Sequence, residues 1–473
     1  MRALAAAAAG LLLALAASGA SGAPSAREGG DWTRFGYDPG RQNQGPARTG
    51  IDASNVRSLV RQQVQLDGTV DASAIYLRGV TVAGRKHDTF FVTTSYGKTL
   101  AVDADSGRIL WRFTPGSYRS LAGSYRITNS SPVADPSRRF LYAAGPDGVV
   151  RKLSVAAGKV VWATAVTRLP EREKIAPSLN FSRGLVLVAT GGYVGDAPPY
   201  QGHVVAISGK TGRIQHVWNS LCSESRALQA PSACQESGSA IWARSGVVVE
   251  PSGRLLVATG DGKFDGRRYW GDSAVELSAN ASALLQNWTP SDYAQLDSGD
   301  VDLGSTAPAL LTSTLAVQSG KDAKLRLLDL RRLNGRGGAG PRTGGELQTL
   351  EAPGGDGLFS APAVWRSGGK TWLFVATFSA TAGYRLEGGR LRVVWTHDNG
   401  GTSPIVAGGL LYVYDPVGAL RVYDPRNGNS LANLPSGGGH WNSPIVTDGR
   451  VAVPERSAND HATHGVLDIY RVP

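Results

Sequence analysis

The sequence predicts an all-β fold, an eight-bladed β-propeller built from four-stranded antiparallel blades. Three observations carry that expectation: a strand–turn–strand unit that recurs along the chain, a Ser/Ala-Pro element preceding copies of it, and an unusual composition. Glycine is 61 of 473 residues and 41% of the chain is apolar, a glycine share about twice the usual one. Enough apolar content to bury a core, combined with so many turn formers, suits short strands joined by tight turns.

The recurring unit is clearest at Leu100–Trp111, where a strand is followed by an Asp/Gly turn and a second strand ending on tryptophan. The next copy runs from Val150 to Trp162, and others centre on Val204–Ser208 with Trp218 and Ala274–Ser278 with Trp288. Leu325–Asp329, Tyr384–Glu387 with Trp395, Leu420–Asp424 with Gly428, and Gly465–Tyr470 complete eight. Ser131-Pro132, Ala307-Pro308, Ala361-Pro362, Ser403-Pro404 and Ser443-Pro444 each open a further pair of strands, which makes four strands per unit. Glycine permits the positive φ of the turn, and Asp or Ser bonds its N–H groups. The tryptophan offers a flat face that one sheet cannot bury alone, so it is expected to pack on the neighbouring blade. Val60–Leu66, ahead of the first blade, is expected to supply the outer strand of the last and so close the ring.

This reading divides the chain into a signal peptide over residues 1–20, an N-terminal segment over 21–58 that leads into the ring, and the propeller over 59–473. Residues 1–20 begin Met1-Arg2, continue as an Ala/Leu run and end in small residues, the pattern of a cleaved export signal. The run is too short and alanine-diluted for a membrane span, and no later segment is apolar enough for one. The mature protein is expected to be secreted or periplasmic. In that oxidising setting Cys222 and Cys234, twelve residues apart in a polar insertion, predict a local disulfide. With two cysteines and no Cys-x-x-Cys-His, covalent haem is not expected.

The net charge is +11, but the basic residues are scattered. The densest run, from Arg331 to Arg342, is glycine-rich without aromatics and reads as a solvated loop, so no nucleic-acid partner is expected. His440, His461 and His464 lack metal-ligand spacing and read as surface or packing residues.

The Ala-x-Asp-x-x-Ser-Gly-x-x-x-Trp unit at 101–111 and the Asp31-Trp32-Thr33-Arg34-Phe35-Gly36 stretch resemble the pyrroloquinoline-quinone (PQQ) repeat propellers. These include quinoprotein alcohol dehydrogenases, polyvinyl-alcohol dehydrogenases and the non-catalytic scaffold of outer-membrane protein assembly. The segment from Trp242 to Lys321 is most similar to the polyvinyl-alcohol dehydrogenase type. The resemblance implies that Trp242 forms the floor beneath a flat quinone and that Asp261, in Thr259-Gly260-Asp261, ligates calcium. It further implies that Asp302 of Asp300-Val301-Asp302 is the general base, with Asp300 a further carboxylate for the metal, and that Lys321 contacts the quinone. Hard oxygen ligands suit calcium, a carboxylate can take an alcohol proton, and an ammonium can steady charge on the cofactor.

The chain also departs from the family. The adjacent-cysteine cap is missing, Asp261 replaces asparagine, and the expected third-blade calcium glutamate has no match, Asp196 being the nearest carboxylate. Each site residue has a structural reading as well: Trp242 as core, Asp261 with Gly262 as a turn, Asp300 and Asp302 as turn caps, and Lys321 as a loop lysine. Two functions follow. One is a PQQ- and calcium-dependent dehydrogenase acting on a small-molecule or polymeric alcohol with an external electron acceptor. The other is a non-catalytic propeller that binds an envelope protein or polymer.

Overall fold

The computed structural model describes residues 28–333 and 343–473. The predicted signal segment 1–20 and most of the basic run 331–342 lie outside the described residues. Eight four-stranded antiparallel sheets succeed one another along the chain. Blade 1 comprises Ile75–Val82, Arg85–Thr93, Thr99–Asp103 and Ile109–Phe113. Blade 8 takes Ile445–Thr447, Arg450–Glu455 and Gly465–Arg471 from the C-terminus, and Val60–Leu66 from the N-terminus pairs along Gly465–Arg471 as its outer strand. That pairing closes the ring as the sequence predicts. Among the described residues, two short α-helices, Tyr118–Leu121 and Tyr293–Ser298, interrupt the β structure.

The core lies between blades. Phe91 of blade 1 clusters with Leu141 of blade 2, Tyr142 of blade 2 with Val188 of blade 3, and Leu327 of blade 5 with Leu373 of blade 6. Because each sheet is two-faced and half its burial comes from its neighbour, the blades are stable only as a succession. The turn motif explains one such contact in detail. The Trp111 indole N–H donates to the Val155 carbonyl of the next blade at 2.9 Å, and its ring lies against Gly158, where a Cβ would stand only 2.6 Å away. Gly158 also has φ 64°, so the turn needs glycine for two reasons. Trp162 covers Gly212, and Trp395 covers Gly428, in the same way.

Trp218 and Trp288 also pack on the neighbouring blade, but from a different place on the strand. Ten residues, rather than eight, separate each from its strand-end serine, Ser208 or Ser278. His216 and Gln286 therefore take the position opposite Ala206 and Glu276 that Trp111 takes opposite Ala101. The two tryptophans sit further along the strand, fully buried, and still pack against blades 4 and 5.

The segment before the ring crosses its central channel. Trp32 bridges to Tyr76 of blade 1, Arg34 donates to Asn180 Oδ1 of blade 3 at 2.9 Å, Asn43 donates to the Ala361 carbonyl before blade 6 at 3.0 Å, and Gln44 bridges to Val406 of blade 7. These contacts are with the innermost strands, leaving the loops that precede those strands free to line the channel's other end. The half-cystines Cys222 and Cys234 form a disulfide with Cα atoms 6.0 Å apart. Among the described residues no helix is long and apolar enough to cross a membrane.

Candidate functional site

The loops entering the innermost strands are built alike. Two positions before each Ser/Ala-Pro, or its equivalent, stands a residue that points toward the channel axis. Asn129, Lys174, Arg244, Ser305, Phe359 and Trp441 occupy this position in blades 2, 3, 4, 5, 6 and 8, and all six line one cavity of about 270 Å³. Blade 1 contributes Asp71 and blade 7 Gly401 at the same position. A larger depression of about 610 Å³ lies at the opposite end beside Asp38, Gln42 and Glu250, but it gathers neither an aromatic wall nor a carboxylate cluster.

Trp242, Asp196, Asp302 and Lys321 also line the 270 Å³ cavity. Trp242 is half-buried, its indole N–H has no partner, and its ring lies 6.5 Å from that of Tyr200. Carboxylate oxygens of Asp261, Asp300 and Asp302 all lie within 4.8 Å of one another. Asp302 is 2% exposed; its Oδ1 accepts the Asp261 N–H at 2.9 Å, and its Oδ2 stands 2.5 Å from Lys321 Nζ. Asp300 Oδ1 accepts a second bond from Lys321 at 3.0 Å. The close approach depends on Gly260, where a Cβ would meet Asp302 Oδ1 at 1.8 Å. The five sequence-predicted residues Trp242, Asp261, Asp300, Asp302 and Lys321 thus converge, and Asp196 stands across from them, outside the tight carboxylate group.

The electrostatics of this side are those of crowded acids. Burial first, and then the hydrogen bond and charge of Asp302, push Asp261 up to about 8. Burial, with the charges of Asp302 and Asp300, pushes Asp196 up to about 6. Asp272, buried beneath and accepting the Leu303 N–H at 3.0 Å, is pushed up to about 9, mainly by burial. Burial opposes charge on the Lys321 ammonium, yet Asp302 and Asp300 raise it above the usual lysine range. Buried oxygens on Asp196, Asp261 and Asp272 have no hydrogen-bond partner. Unpaired acceptors around clustered carboxylates are the donor set a hard divalent cation requires, so these residues fit calcium.

The opposite side is cationic. Lys174 is 7% and Arg244 5% exposed. Burial brings Lys174 down to about 8 and Arg244 down to about 10, with Asp71 opposing both. Arg244 donates to the carbonyls of Ala176 and Asp71 at 3.3 and 3.2 Å. Asp71 is a hub: its carboxylate accepts Asn129 Nδ2 at 2.9 Å, His440 Nδ1 at 2.9 Å, the Trp441 N–H at 2.6 Å and the Ala458 N–H at 3.1 Å. His440 packs on Trp441 with ring centroids 4.3 Å apart, and in that position it also lines the cavity. Phe359, Phe378 and Trp441 stack at the rim with centroids 5.3 to 5.8 Å apart.

Lys174, Arg244, Asp71 and His440 escape a motif reading because each belongs to a different blade. Their signal was present nonetheless, in the register fixed by the Ser/Ala-Pro element. Asp272 carries no such mark.

Residues 49–229 match the family described as outer membrane protein assembly factor BamB. The quinohemoprotein alcohol dehydrogenase ADH IIB of Pseudomonas putida is 29% identical over 187 residues, covering 38% of this chain and 26% of that protein; the match spans about a quarter of that relative's length. Among solved structures, the quinohemoprotein alcohol dehydrogenase of Comamonas testosteroni superposes with TM-score 0.69 and 16% identity over 95% of this chain and 81% of its own. A europium-containing methanol dehydrogenase gives TM-score 0.69 and 15% identity over 93% and 98%. BamB from Moraxella catarrhalis gives 0.53 and 12% over 87% and 98%. At these identities the structural likeness is one of fold.

Proposed function

We propose that this chain, a PQQ-repeat β-propeller with the quinoprotein alcohol dehydrogenase-like fold, is an exported dehydrogenase that holds PQQ and calcium in the 270 Å³ cavity and oxidises a hydroxyl-bearing substrate. The observation that carries this reading is the convergence of Trp242, Asp261, Asp300, Asp302 and Lys321 around unpaired buried acceptors. When bound, the quinone supplies the two-electron acceptor and calcium the Lewis acid.

The chain's own residues supply the rest. The indole of Trp242 offers a flat apolar surface on which a planar ring can lie, with an N–H free to donate. Asp261 and Asp300 offer oxygens to the cation, and Asp196 faces the same cavity from outside that group. Asp302, buried and held by the Asp261 N–H, is the group placed to accept the substrate hydroxyl proton. Lys321, bonded to both Asp302 and Asp300, fixes the orientation of that carboxylate. Two electrons would then pass to an external acceptor.

Purified protein mixed with PQQ and calcium should retain quinone absorbance through gel filtration and turn over an alcohol with an artificial electron acceptor. Asp302→Ala should keep the absorbance and lose turnover by at least a hundredfold, in line with the usual contribution of a general base. Wild-type protein that emerges without quinone would defeat the proposal. A second reading is favoured by the family matched over residues 49–229: a non-catalytic propeller that binds an envelope partner. It expects no change in melting temperature with PQQ and calcium, whereas a ligand bound only by the native state must raise it.

A further inference from the structure

A groove of about 470 Å³, bordered by Trp218 and Leu284 from the outer strands of blades 3 and 4, shares no lining residue with the central cavity. Two segments complete it. The polar insertion after the outer strand of blade 3 supplies Ser223, Glu224 and Arg226, and a loop within blade 4 supplies Arg267 and Arg268. Leu221 bridges to Tyr269, and the Ser223 N–H donates to the Arg268 carbonyl at 3.1 Å, which joins the two segments. The Cys222–Cys234 disulfide closes the insertion, and Asn219 Nδ2 holds the carbonyls of Ser225 and Ala227 at 3.0 and 3.1 Å. The charge of this fixed surface is uncompensated. Three arginines meet one lining carboxylate, Glu224, which is bonded to Arg268 at 2.9 Å. Asp265 is committed to the backbone, its Oδ1 accepting the N–H groups of Arg267, Arg268 and Tyr269 at 2.8, 2.8 and 3.0 Å. Arg226 donates to the Ser282 carbonyl, which leaves its charge in place. The exposed Arg267 guanidinium makes no hydrogen bond or ion pair with any described residue. Trp218, 1% exposed, carries an indole N–H that has no partner, and a buried donor left without an acceptor is costly.

We propose that this groove binds a sugar acid, a ring that carries hydroxyls and one carboxylate, such as a uronate unit. Arg267, with Arg226 on the facing segment, takes the carboxylate, because a planar fork of N–H donors matches its two oxygens. Glu224 decides which kind of anion is accepted. Beyond its bond from Arg268 it keeps acceptor capacity for sugar hydroxyls, whereas it repels a phosphate, which brings more negative charge and no ring hydroxyls. Ser223 Oγ accepts Trp270 Nε1 at 2.9 Å, which leaves the serine proton to donate to the ligand. A ligand oxygen against the groove wall formed by Trp218 supplies the acceptor that the indole N–H lacks. A free uronate and a unit of an acidic polysaccharide offer the same chemistry. The assignment uses no feature of the central cavity and holds whether or not that cavity carries a quinone.

The test is calorimetric titration of the full chain with galacturonate, tri-galacturonate, galactose and inorganic phosphate. Wild-type protein should bind galacturonate more tightly than galactose, which lacks the carboxylate, and than phosphate, which lacks the ring hydroxyls. Each difference should be about tenfold or more, as one charge-assisted hydrogen bond gives. Arg267→Gln should remove the preference for galacturonate over galactose and melt no lower than wild type, because the arginine side chain makes no bond that the substitution breaks. Tighter binding of tri-galacturonate than of galacturonate assigns the site to a polymer, and equal binding assigns it to the free sugar acid. Equal affinity for galacturonate and galactose, or phosphate bound as tightly as galacturonate, would overturn the proposal. So would a preference that survives Arg267→Gln, which is the result that carboxylate binding beside Lys174 and Arg244 in the central cavity would give.

Discussion

Lys321 Nζ lies 2.5 Å from Asp302 Oδ2, pairing an ammonium that is partly open to solvent with a carboxylate that is 2% exposed. The pair is asymmetric, so its two halves should respond differently to substitution. Lys321→Met leaves Asp302 buried beside Asp300 and Asp261 with no counter-charge, and should destabilise by about 3 kcal/mol. Lys321→Met combined with Asp302→Asn should recover most of that loss. Urea unfolding of the four proteins of this double-mutant cycle measures the coupling, and additive effects would show that the pair is not stabilising the site.

Ring closure carries its own titration. Arg61, on the strand contributed from the N-terminus, donates to both oxygens of Asp468 at 2.8 and 2.9 Å and reaches Glu455 at 2.5 Å. Burial first, together with Glu455, pushes Asp468 up to about 7 despite the lowering bonds from Arg61. Its folded value therefore exceeds that of an unfolded aspartate near 4. Between roughly pH 4 and 7 the folded state binds more protons, and stability should fall as pH rises through this window. Asp468→Asn should flatten the slope between pH 5 and 8 in urea midpoints. An unchanged slope would assign the dependence to other groups.

Asp71 holds Asn129, His440 and Trp441 through one carboxylate. Asp71→Asn keeps the shape but turns an amide toward donors that need an acceptor, at a cost of about 2 kcal/mol for the charged bonds lost. Ligand affinity should fall more than stability does, because three cavity-lining groups lose their fixed orientation. Comparing the melting temperature and ligand titration of this variant separates the two effects. A stability loss with unaltered affinity would make Asp71 a purely structural residue.

The Trp111–Gly158 contact should be worth about 3 kcal/mol or more to the interface between blades 1 and 2, judged by Trp111→Ala, because a large aromatic leaves a cavity behind it. Gly158→Ala should also destabilise, since a Cβ would meet the indole at 2.6 Å and the backbone has φ 64°. Thermal unfolding of the two variants and their combination should show strong non-additivity. In the Trp111→Ala background the steric part of the Gly158→Ala penalty disappears and the φ strain remains.

Repetition made the blades legible. A short strand alone is ambiguous, but a turn, a tryptophan and a Ser/Ala-Pro element recurring in order constrain pairing, register and succession together. Trp218 and Trp288 pack on the next blade as well, but from two residues further along a strand of unchanged register, so His216 and Gln286 take the docking position over the turn. His440 packs on Trp441 as a packing residue would; that it also borders the cavity follows from its place one residue before the ring position held by Trp441, which its spacing to the other histidines does not express.

What the residues alone determined is local and periodic: the strands, the glycine turns, the inter-blade aromatic contacts, the closing strand, and the compact segment from Trp242 to Lys321. What only the tertiary structure decided is which distant loops meet. Asp71, Lys174, Arg244 and His440 are far apart along the chain and come together because closing a ring of blades brings every inner loop to one axis. There, burial and mutual charge set their chemistry, and neither quantity exists until the circle is complete.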